Sequence, residues 1–230
     1  MDCRLYLKGL VLFVAMASQQ TACAQTADSQ RWRDSLTVLG EQIARQPFST
    51  DLHLRKAAAN LELQQWEYAI EEYGIVLQKE PHNPAALFYR AYANSHLRRY
   101  DMARNDYEEL LRQSPNHLEG RLGLAYVWQQ TGRKRDAMEQ LNLAVDQHPD
   151  SAVAYAARAA LERDLKQYDI ALYDWQQAMR LAPDNRDYLA SAVDVLLLLD
   201  RKKEARSLLD AAVRKGTPRG LLHKWYQKCK

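Results

Sequence analysis

Apolar and polar positions recur along this chain at a helical period, and the resulting stripes recur again at a much longer one. Apolar residues stand at i, i+4 and i+8 in Ala69, Tyr73 and Leu77, in Ala103, Tyr107 and Leu111, and in Ala137, Leu141 and Val145. Ala171, Trp175 and Met179, then Ala205, Leu209 and Val213, continue the pattern at the same interval. That spacing lays one apolar stripe along an amphipathic helix. The constant step between stripes is long enough for a pair of helices and a turn, and it marks an internal repeat. A second series of small residues, Ala57, Ala91, Ala125 and Ala159, with Val193 in last place, runs one helix length ahead of the first. Two helices approach closely only where both lack bulk, so each unit is predicted to hold two helices in contact at these small residues. Bulky or long side chains begin each second helix, at Trp66, Tyr100, Lys134, Tyr168 and Lys202, and Trp32 extends this phase one unit back.

The prolines keep the same register: Pro47, Pro81, Pro115, Pro149 and Pro183 are evenly spaced, with the step that separates the stripes. Proline has no amide hydrogen and disfavours helix in the residue before it, so it closes each second helix with a reproducible turn. The pattern predicts helix pairs of about 12 to 14 residues per helix. Joins within the pairs fall near Gln64-Gln65, Arg98-Arg99, Thr131-Gly132, Lys166-Gln167 and Asp200-Arg201. With only eight Gly and seven Pro in 230 residues, composition also favours helix over sheet. A chain of this length that is 47% apolar can bury a core without disulfide or metal staples.

Two stretches, RAYANSHLRRYDMARNDYEELLRQSP from Arg90 to Pro115 and RAALERDLKQYDIALYDWQQAMRLAP from Arg158 to Pro183, show the unit most clearly. This unit resembles the tetratricopeptide repeat. The resemblance implies an all-α, right-handed α-solenoid of stacked helix-turn-helix units. Five units would occupy residues 50–83, 84–117, 118–151, 152–185 and 186–219, after an N-terminal half repeat over 25–49 and before a C-terminal capping helix over 220–230. Leu221, Leu222, Trp225 and Cys229 are spaced to form the apolar face of that cap. The leucine that the family prefers just before the first-helix small residue survives only as Leu124, with Lys56, Arg90, Arg158 and Ala192 in its place elsewhere.

Residues 1–24 read differently from the rest. Arg4 and Lys8 precede an apolar run from Gly9 to Ala17, and a polar stretch then leads to Ala22-Cys23-Ala24. This is the order of a cleavable export signal, which places the mature protein in the periplasm or cell envelope of a bacterium. The apolar run is too short to span a bilayer. Ala22 before Cys23 also resembles part of a lipobox, which would instead leave Cys23 as a lipid-bearing first residue of an outer-membrane lipoprotein. Cleavage after Ala24 removes Cys3 and Cys23 and leaves only Cys229, so no intramolecular disulfide is expected, and burial on the terminal helix competes with pairing between chains. Charge is segregated: residues 201–230 hold ten Lys or Arg against two acids, a local +8, and residues 25–200 carry about −6.

Among tetratricopeptide proteins the first helix of each unit lines a concave surface that holds an extended peptide or a partner helix. Carried over by position, the partner-binding groove would present Arg55, Phe88, Tyr89, Tyr92, His96, Tyr126, Gln129, Gln130 and Arg163, with Asp194 beyond them. Tyrosines offer stiff contact area with a polar tip and glutamines can bond a peptide backbone, a combination suited to a protein or peptide ligand. Tyr92 and Tyr126 share one phase and fit packing between adjacent first helices as well. The terminal-carboxylate clamp of chaperone-binding members is missing, because its positions hold Leu54, Ala58, Tyr89, Glu119 and Gly123. There is no HExxH, CxxC, GxSxG or glycine-rich phosphate loop, so neither an enzyme nor a cofactor nor a metal is expected. His82, His117 and His148 fall in the turns near the prolines. Nucleic acid is disfavoured by the acidic body. The basic tail, with Arg219, Lys224, Lys228 and Lys230 beside Trp225 and Tyr226, fits either a solvated cap or an anionic membrane surface. Two functions of different class follow: an adaptor that holds a protein partner, and a Cys23-anchored structural subunit of an envelope complex.

Overall fold

The constant repeat interval sets where each helix starts and stops. The computed structural model describes residues 22–229, in which α-helices follow one another and no strand occurs. A long helix, α1 (Ala22–Arg45), comes first. Five pairs follow: α2 (Thr50–Glu62) with α3 (Trp66–Lys79), α4 (Pro84–His96) with α5 (Tyr100–Gln113), α6 (Leu118–Gln130) with α7 (Lys134–Gln147), α8 (Ala152–Asp164) with α9 (Tyr168–Leu181), and α10 (Arg186–Leu198) with α11 (Lys202–Arg214). A 3-10 turn, Arg219–Leu222, leads into the short α12 (His223–Lys228). The export signal expected over residues 1–24 lies outside the described residues apart from 22–24, which belong to the first turn of α1. At 24 residues α1 begins three residues ahead of the half-repeat helix expected over 25–49, and it stops at Arg45, ahead of Pro47.

Each first helix opens on a side chain that accepts a hydrogen bond from the first turn. Ser49 accepts from the Leu52 amide, Asn83 from Ala86, His117 from Gly120, Ser151 from Ala154 and Asn185 from Asp187. These caps satisfy amides that the helix itself leaves unpaired. Two residues past the end of each first helix stands a residue in the left-handed region: Gln64 (φ 56°), Arg98 (57°), Gly132 (77°), Lys166 (61°) and Asp200 (56°). The amides after them bond back to Asn60, Asn94, Trp128, Glu162 and Leu196 at 2.8 to 2.9 Å, closing a Schellman turn. Second helices end on an extended residue before proline, Glu80 (φ −126°, ψ 77°), Ser114 (−134°, 78°) and Ala182 (−133°, 73°), as the proline ring requires. In the last pair the proline has moved to Pro218, and α11 stops instead at Gly216, with φ 104°.

Two compact units divide the described chain, residues 22–137 and residues 138–229. In the first, α1 to α6 pack each against the next, and α4 also meets α6. Ala57, Ala69, Ala91 and Ala103 are fully buried at these contacts. Gly123 brings α6 down onto Tyr107, where a Cβ would stand 2.4 Å from the ring carbon Cζ. In the second unit α8, α9, α10 and α11 pack in the same succession, and Val193 is buried where the other pairs have alanine.

The missing family leucines have a physical replacement. Lys56 reaches Glu72 at 2.6 Å, Arg90 grips Asp106 through two bonds of 2.8 and 2.7 Å, and Arg158 grips Asp174 through two of 2.6 and 3.0 Å. In each pair a first-helix cation binds a buried second-helix carboxylate 16 residues on, joining the two helices. His53 adds to the first of these, with Nδ1 2.5 Å from Glu72 and Nε2 3.0 Å from the Pro47 carbonyl. Glu162 lies 3.9 Å from Arg158 but is buried with its Oε2 unbonded, and burial, reinforced by Asp174 and partly offset by Arg158, pushes its carboxyl up to about 7.

The cap differs in detail from the expected helix over 220–230. Leu222, Tyr226 and Cys229 are buried against the last pair, whereas Leu221 is 53% exposed. The tighter 3-10 turn rotates Leu221 away from the face that Leu222 and Tyr226 share. Trp225 Nε1 donates to Asp194 at 3.1 Å and the Tyr226 hydroxyl donates to Asp210 at 2.6 Å.

Candidate protein-binding face

Helix α4 supplies most of the candidate face because four of its residues, Phe88, Tyr89, Tyr92 and His96, are spaced over two helical turns. Phe88 is only 7% exposed and packs edge-on to Tyr107 and against His117, so it forms the floor of the face. Tyr89 is half-buried, 4.9 Å from Phe88 and 5.9 Å from Tyr73 between ring centroids. Tyr92 and His96 gather around Trp66 at the start of α3. The Trp66 and His96 rings stack at 4.1 Å and 5°, with Tyr92 edge-on to both at 6.1 and 4.6 Å. Trp66 and Tyr100 were not among the expected face residues, since both begin second helices; their phase marked them only as packing residues.

The chemistry of this face is mainly aromatic. Burial lowers the His96 imidazole below its ordinary value, so it is neutral at pH 7. Burial, with the Glu62 carboxylate nearby, raises the Tyr92 phenol. On α6, burial and the hydrogen-bonded neighbour Tyr100 push Tyr126 up to about 12. Glu62 is itself raised, by burial first and by Asp28 second. Half-buried rings with polar tips therefore line one side, with the Glu62 carboxylate beside Tyr92 and the Arg98 guanidinium near Tyr126.

The remaining expected residues are distributed unevenly. Gln129 is half-buried and Gln130 exposed on α6, and Arg55 is exposed on α2, 3.8 Å from Asp51. The first unit thus holds eight of the nine groove residues, whereas Arg163 belongs to the second, where it bonds Asp164. Asp194 is engaged by the cap, accepting from Trp225 Nε1 at 3.1 Å and from Lys228 at 3.5 Å. His82 bonds Glu109 at 2.8 Å and His117 caps α6, so both serve turns. Among the described residues no group of three or more His, Cys, Asp or Glu is placed to hold a metal ion, and no helix is long and apolar enough to cross a membrane.

Helix pairs repeated at one constant interval, capped alike and joined by the same small-residue contacts, define a helical-repeat protein. Residues 96–161 match the model of the tetratricopeptide repeat. Its fold is similar to that of MamA from Desulfovibrio magneticus, with 19% identity, 74% of this chain and 97% of that one covered, and a TM-score of 0.63. A tetratricopeptide repeat protein from Parabacteroides merdae aligns at 18% identity over 87% of this chain and 78% of its own, with a TM-score of 0.65. YrrB, described as a tetratricopeptide protein with an unusual peptide-binding site, aligns at 16% identity over 76% and 91%, with a TM-score of 0.58. No curated protein sequence matches the chain.

Proposed function

We propose that this chain is a non-catalytic scaffold or adaptor of the bacterial cell envelope that holds a protein or peptide on the aromatic first-helix face of residues 22–137. The observation that carries this reading is the run of half-buried rings, Tyr89, Tyr92, His96 and Tyr126, on α4 and α6. Rings of this kind give large contact area at small entropic cost, and their hydroxyls bond a peptide backbone. The peptide-binding site ascribed to YrrB supports the class of ligand by analogy of fold alone. Co-purification from the native envelope with Tyr89→Ala and Tyr126→Ala tests it, with Tyr68→Ala on the exposed face of α3 as control. Partner recovery should fall at least about tenfold for the first two and stay constant for the third. Equal recovery by all three, at equal melting midpoints, defeats the assignment.

The envelope location rests on the basic, apolar and small-residue order of residues 1–24. Ala22 ahead of Cys23 supports a second reading, a lipid-anchored structural subunit of an envelope complex. Mass spectrometry of the mature amino terminus separates them: an end at Gln25 excludes the anchor, and a diacylated Cys23 establishes it.

A further inference from the structure

We propose that the last helix pair and its cap form a basic face that binds an anionic lipid surface. Charge is divided sharply within the second unit. Residues 138–200 carry five Lys or Arg against eleven acids, and residues 201–230 carry ten against two. On and just after α11, Lys202, Lys203, Arg206, Arg214 and Lys215 are exposed, and none forms an ion pair with a described residue. The neighbouring carboxylates are already engaged: Glu204 with Arg201, Asp210 with the Tyr226 hydroxyl, and Asp194 with Trp225 and Lys228. On the cap, Arg219 lies 4.7 Å from the Tyr226 ring centroid and Lys224 5.9 Å from that of Trp225. The positive charge of this face is therefore left for something outside the chain.

The kind of anion is decided by what stands among the cations. Leu221 is 53% exposed between Arg219 and Lys224, and Leu198 is 57% exposed just ahead of the basic run that begins at Arg201. Trp225 and Tyr226 are turned inward onto Asp194 and Asp210, so leucines supply the outward apolar surface. A nucleic acid would meet the cations and leave both leucines in water. A bilayer interface takes both, with headgroup phosphates on the lysines and arginines and acyl chains against the leucines. The proposal stands independently of the aromatic face, which lies in the other unit.

Vesicle sedimentation tests it with the full chain carrying Cys23→Ser, which removes any acyl anchor in every arm. Phosphatidylcholine vesicles without charge serve as baseline, and the same vesicles with phosphatidylglycerol as a minor component are the probe. Binding should appear only with phosphatidylglycerol and weaken as salt is raised. The triple variant Lys203→Gln, Lys215→Gln, Lys224→Gln should bind about a hundredfold more weakly, since each basic residue at such a surface contributes roughly a fivefold factor. Arg31→Gln, Arg33→Gln, Arg45→Gln, which removes the same charge from exposed positions on α1, should bind as the parent does. Leu221→Asn should weaken binding severalfold at an unchanged melting midpoint. Absence of phosphatidylglycerol-dependent binding, or equal losses in the two triple variants, overturns the proposal. So does binding of a DNA oligonucleotide as tightly as the vesicles at the same salt.

Discussion

Glu162 shows what one buried carboxyl costs a repeat. Arg158 satisfies both oxygens of Asp174, which is fully buried, and a single guanidinium then serves two acids. Desolvation, and Asp174 after it, raise Glu162 from the usual 4.5 to about 7. The folded chain therefore holds this proton over a pH range in which the unfolded chain has lost it. Stability from this group is complete below about pH 4.5 and is lost as the pH rises through about 7. Glu162→Gln removes that dependence, so the variant should gain urea midpoint relative to wild type between pH 5 and pH 8. Parallel pH profiles for the two proteins would refute the assignment. The cluster was only half legible in the sequence. Lys56, Arg90 and Arg158 read as departures from a leucine position, because apolar periodicity says which face a residue occupies and nothing of an ionic partner 16 residues away.

The helices themselves were legible because separate signals coincide in the pairs: a stripe at i and i+4, small residues in phase, and a proline after the second helix of every pair but the last. First helices begin at Thr50, Pro84, Leu118, Ala152 and Arg186, directly after Ser49, Asn83, His117, Ser151 and Asn185. The candidate face was less legible, since phase places Phe88 beside Tyr89 but leaves open which of the two is covered, and the covering ring, Tyr107, comes from another helix. How closely α5 and α6 approach was hidden for the same reason. A Cβ on Gly123 would lie 2.4 Å from Tyr107 Cζ, and Tyr107 is itself 1% exposed and has no room to move. Gly123→Ala should thus cost about 1–3 kcal/mol by overpacking. Gly40→Ala, in α1 with nothing within 4 Å, should be neutral or stabilise by about 0.5–1 kcal/mol through helix propensity. Denaturant unfolding of the two variants checks the sign, and a loss at Gly40 as large as that at Gly123 would show that propensity rather than contact governs both.

At the scale of the molecule, a stack of repeats has to end without leaving an apolar face in water, and the two ends here solve this differently. At the start, α1 covers α2 with a single long helix. At the finish, the 3-10 turn and α12 place Leu222, Tyr226 and Cys229 in the cluster that contains Val193, Leu196 and Leu209, while Trp225 and Tyr226 tie their polar tips to Asp194 and Asp210. Terminal repeats keep such covers because each pair is stabilised mainly by its neighbours. Deleting residues 219–230 should therefore lower the stability of the second unit by about 2–4 kcal/mol, the burial of three side chains less the entropy of ordering them. It should also raise binding of a hydrophobic dye, because the uncovered side chains of α10 and α11 have no other partner to take. Tyr226→Phe separates the two contributions: it keeps the ring in place and removes only the bond to Asp210, so its loss should be about 1 kcal/mol. A truncated chain that unfolds at the same urea midpoint as the parent would mean that α12 rests on the last pair without stabilising it, and the basic face it carries would then be the reason for its presence.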